Sequence, residues 1–133
     1  MSEPSFHESV VAADKRSKAI ALLVAIGLFL AVNRIVGDVQ FASIVAATAG
    51  IGTRLYVPYH ASMRVPAADR TPLSEHPATG EYHHGAAGLA LVTVSLAAIV
   101  VFGFGHGLIT AVGVGVISGS VAYVMLSSAL PSE

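Results

Sequence analysis

Four long stretches of the chain carry almost no charge, and that feature governs what the polypeptide can become. A helix crossing a bilayer needs about 20 mostly apolar residues to traverse roughly 30 Å of hydrocarbon. The first stretch covers residues 19–36, and its one charge is Arg34 near the far end. The second, residues 39–57, is the least hydrophobic and carries Gln40, Ser43, Thr48, Thr53 and Arg54. Pro58 has no N–H to give and constrains the residue before it, so the second stretch is expected to end there. The third covers residues 85–104, and the fourth covers residues 107–130, closed by Pro131.

Composition agrees. Charged residues make up 11% of the chain and hydrophobic residues 54%, against about 25% charged in ordinary soluble domains. Mean hydropathy is +0.73. Four apolar segments leave too little polar sequence to wrap them as the core of a soluble protein. The first stretch follows a polar segment, residues 1–18, and Val32-Asn33-Arg34-Ile35 does not read as a small-residue cleavage site. A retained anchor is therefore expected.

The expected fold is all-α, an integral membrane four-helix bundle made of two antiparallel transmembrane hairpins. Gly37-Asp38 joins the first pair and Gly105-His106 the second. The resulting organisation is a segment 1–18, a hairpin 19–57, a loop 58–84, a hairpin 85–130 and a tail 131–133. Lys15, Arg16, Lys18, Arg54, Arg64 and Arg70 fall on the loop side, and Arg34 alone falls on the other. The positive-inside rule makes the loop side cytoplasmic, with both termini on it, in a multi-pass protein of the cell membrane.

Lipid tails are as apolar as leucine, so close backbone packing must hold the helices together, and small residues at intervals of four allow it. The fourth stretch carries Gly107, Ala111, Gly115 and Gly119. The second carries Ala42, Ala46 and Gly50, and the first Gly27 and Ala31. Such stripes serve internal packing or an interface with another subunit. Arg34 and Asp38 stand four apart, so on one helix they would meet as an interfacial charge pair.

Outside the four stretches, Ser5 and Glu8 have the spacing of a capping box. Phe6, Val10 and Ala13 make a narrow apolar stripe, suited to a helix lying on the membrane surface; a disordered tail is the other reading. The loop 58–84 contains Pro58, Pro66, Pro72 and Pro77 and is too long for a simple connector. It can cap the helix ends or dock a partner.

Chemistry is sparse. The chain has no cysteine, which removes disulfides, thiolate nucleophiles and cysteine-held clusters. A net charge of −1 gives no basic surface for nucleic acid. No acidic residue lies mid-span, where proton-coupled transport usually needs one. Five of the six histidines, His7, His60, His76, His83 and His84, fall on the loop side. If the helix ends adjoin, His60 and His84 can converge with Glu81 on a transition metal, or on a haem in a bis-histidine variant. No local metal motif supports that, and no span holds an interior histidine.

The leading functional expectation is a non-catalytic membrane subunit that assembles with or stabilises a larger respiratory or transport complex, with no cofactor of its own. Its partners would be the lipid bilayer and other membrane subunits, or further copies of itself. One alternative is a small oligomeric channel or transporter with a polar path through Gln40, Ser43, Thr48, Thr53, Ser95, Ser118 and Ser120. Another is a redox subunit using His60 and His84.

Overall fold

The computed structural model describes residues 5–76 and 79–132. Residues 1–4, 77–78 and 133, which fall in the expected leading segment, loop and tail, lie outside them. The described chain is all-helical: α1 (Glu8–Val36), α2 (Val39–Met63), α3 (His84–Gly103) and α4 (Leu108–Ala129). Two single 3₁₀ turns, Ala67–Asp69 and Leu73–Glu75, occupy the loop between α2 and α3.

Three of the four long helices, α1, α3 and α4, are long and apolar enough to cross a membrane. The second stretch, with Gln40, Ser43, Thr48, Thr53 and Arg54, falls outside that group by its composition. The extensive interfaces join α1 to α2, α2 to α3 and α3 to α4. Covered by helices on two sides, α2 buries Phe41, Ala42, Val45, Ala46, Ala49, Gly50 and Gly52. A covered helix needs small side chains more than greasy ones. By contrast α1 buries only Val10, Ser17, Ala21 and Val32, and Leu22, Leu23, Ile26, Leu30 and Ile35 stand exposed on it.

Helix boundaries follow local chemistry. His7, rather than Ser5, caps α1, its side chain accepting from the Ser9 N–H at 3.2 Å. The capping box therefore does not form. α1 then runs unbroken for 29 residues, about 43 Å at 1.5 Å per residue, so residues 8–18 extend the first helix. Gly37 stops it in the left-handed region (φ 73°), donating to Asn33 O at 2.9 Å. Asp38 at once caps α2, its Oδ1 accepting from the Phe41 N–H at 2.9 Å. Pro58 lies inside α2 rather than at its end. It forgoes one helical hydrogen bond, but Tyr59 and Ser62 just beyond it are buried, and their packing carries the helix to Met63.

Where α2 meets α3, glycine faces glycine. A Cβ on Gly52 would stand 2.6 Å from Gly88 O, and one on Gly88 would stand 2.7 Å from Gly52 O. Nearby, Ser95 Oγ donates across to Val45 O at 2.9 Å. Between α3 and α4 the approach is made by Gly115, whose Cβ would meet Val94 O at 2.7 Å, and by Gly119, which would meet Ala90 O at 2.9 Å. Between α1 and α2, Gly50 faces Ala21 O and the Ala25 Cβ, both at 3.1 Å.

Two apolar clusters close the ends. Val32, Phe41, Ala42, Val45, Ala98 and Ala111 gather at one end, where Phe41 stacks on Phe102 with centroids 4.1 Å apart. Val10, Tyr59, Val65 and Leu73 gather at the other, packed by Phe6 and Leu130. The second end, which carries the loop, holds both ends of the described chain.

Of the small residues singled out by spacing, Ala42, Ala46, Gly50, Ala111, Gly115 and Gly119 are buried. Gly107 caps α4 from an exposed position. Gly27 and Ala31 are exposed, and a Cβ on Gly27 would meet nothing within 4 Å. The face of α1 that meets α2 carries Ala21, Ala25, Leu28 and Val32 instead.

Because carbonyl groups oppose Gly52 and Gly88, neither neighbour can give way. Gly88→Val should destabilise the fold by about 1–3 kcal/mol, the usual cost of overpacking. Gly113→Ala, in open space, should be neutral or slightly stabilising. Thermal unfolding followed by circular dichroism in detergent tests both.

Candidate functional site at the loop end

The polar side chains of the molecule concentrate where the loop meets α1, α2 and the start of α3. α1 presents Asp14 and Ser17, one helical turn apart, toward Arg54 of α2. Ser17 is fully buried, and its Oγ donates to Asp14 O at 2.6 Å and accepts from Arg54 Nη1 at 3.2 Å. Arg54 Nη2 lies 3.6 Å from Asp14 Oδ1, with the two side chains 41% and 46% exposed. So open a pair contributes no more than about 1 kcal/mol. Its value is geometric: it turns a cation within α2 toward α1.

On the other flank, His83 caps α3, its Nδ1 accepting from the Ala86 N–H at 3.2 Å. That cap places His84 in the first turn, where it is buried, with Nε2 2.9 Å from Thr79 O. Tyr82 stacks on the His84 ring with centroids 4.2 Å apart. Thr79 Oγ1 lies against Leu73 O and also His76 O, tying the second 3₁₀ turn to the approach to α3.

Arg70 folds the loop back over α2. Its Nη2 donates to Val65 O at 2.8 Å and to Met63 O at 3.2 Å. A cation on the last carbonyls of a helix satisfies orphan acceptors and complements the helix dipole. Tyr59 reaches across the bundle, its hydroxyl donating to Pro131 O at 2.8 Å. Gly85 makes room for that ring, since a Cβ there would stand 2.3 Å from Tyr59 Cε1.

Five of these polar side chains line a cavity of about 480 Å³. Phe6, Val10, Leu55 and Leu73 form apolar walls, and Asp14, Arg54, Thr79, Tyr82 and His84 supply the polar side. The size is that of an ordinary small-molecule pocket. Arg54 and His84 are already held by protein partners, so the arrangement suits recognition and the tying together of segments.

The spacing-based candidates fare unevenly. His60 is exposed, stacks on Tyr56 at 5.8 Å and lines a different groove from His84. Glu81 is exposed, and among the described residues no three His, Asp or Glu side chains gather as a metal-ligand group. Arg34 and Asp38 make no ion pair, because Gly37 ends α1 between them and Asp38 turns to cap α2. An ion pair that does form is Arg54–Asp14. Its one signal in the sequence was a cation embedded in an apolar stretch, which is costly unless given a partner or water.

Ser17→Ala should lower stability by about 1 kcal/mol, since it removes the buried hydroxyl that links Asp14 O to Arg54, whereas Asp14→Asn should stay within about 0.5 kcal/mol. A larger loss for Asp14→Asn than for Ser17→Ala in unfolding measurements would mean that the ion pair, not the hydroxyl, holds α1 to α2 here. Comparison with protein-family models, with curated proteins and with solved structures returns no match to this chain.

Proposed function

We propose that the chain is a non-catalytic integral membrane subunit that stabilises or completes a larger membrane assembly. In this reading all four helices span the bilayer as two antiparallel hairpins, with the loop end cytoplasmic. The observation that carries it is the state of α1: its apolar side chains are exposed along most of its length, and the small residues Gly27 and Ala31 sit on that open surface with nothing packed against Gly27. In lipid, exposed leucines and isoleucines are at home, while an unfilled small-residue notch is where another helix approaches closely.

A conduit within one copy finds less support. Ser43, Thr48, Thr53, Thr93 and Ser120 donate to carbonyls four residues back in their own helices. Ser95 is spent on the α2 contact. Hydroxyls engaged this way spend their proton on the backbone of their own helix.

Purification from native membranes in mild detergent should bring partner proteins along at fixed stoichiometry. Gly27→Leu with Ala31→Leu should release them while leaving the melting temperature of the isolated chain unchanged. A homogeneous particle of this chain alone, unaffected by the substitutions, would refute the proposal.

A further inference from the structure

The arginines at the loop end divide into two kinds. Arg54 is held by Ser17 and Asp14, and Arg70 by the carbonyls closing α2. Arg16 and Arg64 are exposed and, among the described residues, make no ion pair or side-chain hydrogen bond. Both line one groove of about 490 Å³ between α1 and α2, on the flank away from His84.

Helical register builds this groove. Ser9, Ala13, Arg16 and Ile20 form a single stripe on α1, and Val57, His60, Ala61 and Arg64 form one on α2. The α1 stripe starts at the loop end and the α2 stripe finishes there, so polarity is graded along the groove. Arg64, His60 and His7 lie toward the helix ends, Arg16 lies deeper, and Ile20 and Val57 lie toward the apolar middle. Among the described residues no carboxylate lines the groove; Glu8 follows His7 but lies outside it.

We propose that this groove binds the phosphate headgroup of an anionic membrane lipid. Resting on the membrane reading above, the proposal adds a ligand class to it. Guanidinium groups suit phosphate oxygens because they present paired donors in a fixed fork. Basic pockets between helices at a membrane surface bind anionic headgroups. Ile20 and Val57 favour a lipid over free phosphate, since they continue the cationic end into an apolar track where an acyl chain lies.

Native mass spectrometry of the detergent-solubilised chain, offered equal amounts of phosphatidylglycerol and phosphatidylcholine, tests this. Retention should favour phosphatidylglycerol. Arg16→Gln with Arg64→Gln should weaken it about thirtyfold, each basic contact near a membrane surface being worth about fivefold. Lys15→Gln with Lys18→Gln removes the same charge outside the groove and should have a much smaller effect. Both arginines are exposed, so an unchanged melting profile should accompany the loss. Equal retention of the two lipids, or equal loss in the lysine variant, overturns the site. Displacement of the lipid by millimolar inorganic phosphate reassigns the groove to free phosphate and overturns the lipid. A chain that stays monodisperse without detergent overturns the membrane reading itself, a different result from a detergent-dependent chain that shows no lipid preference.

Discussion

Backbone meets backbone where α2 crosses α3, and the remaining packing is set by that approach. Gly52 and Gly88 present bare Cα positions to each other's carbonyl oxygens. With the two helices drawn this close, Ser95 can reach Val45 O and Phe41 can lie flat on Phe102. Gly115 and Gly119 repeat the device one helix further on, against Val94 and Ala90. In the membrane reading proposed above, water would not drive the helices together and this kind of contact would have to, because dispersion falls off within fractions of an ångström.

The sequence made the helical class legible, because apolar runs of that length leave little choice. It made α2 and α4 partly legible: intervals of four at Ala42, Ala46 and Gly50, and at Ala111, Gly115 and Gly119, coincide with buried faces. The same spacing at Gly27 and Ala31 marks an open face, because a stripe defines a side of a helix without saying what covers it. Gly52 and Gly88 form no stripe; their relation exists only across two helices, which no local pattern contains. Residues 8–18 read as a separate polar segment, although they continue α1, because helix periodicity persists where hydropathy stops.

The candidate site shows a similar divide. His60 and His84 reach the same end of the bundle but line different grooves beside α2. Rotation about a helix axis separates groups that a linear count brings together. Arg34 and Asp38 failed to pair for a more local reason: one glycine with positive φ converted the expected partner into a cap. Conversely, Arg54, Asp14 and Ser17 meet across 37 positions of sequence, a distance over which spacing carries no information.

Chain-order packing also bears on how the fold is acquired. Each of α2, α3 and α4 has an extensive interface with the helix made just before it, whereas Phe6, just before α1, and Val10, near its start, wait for Tyr59, Val65 and Leu73. Contacts close in sequence need little loop-closure entropy. Among the described residues, bonds that depart from that local economy include Thr71 Oγ1 to Ser5 O, 66 positions apart, and, longer still, the Tyr59 hydroxyl to Pro131 O, separated by 72 positions. The Tyr59 bond forms only once the last helix has arrived, and it fastens the end of α4 to the helix that α1 and α3 already enclose. The molecule thus grows like a fan opened rib by rib, with its clasps at one rim.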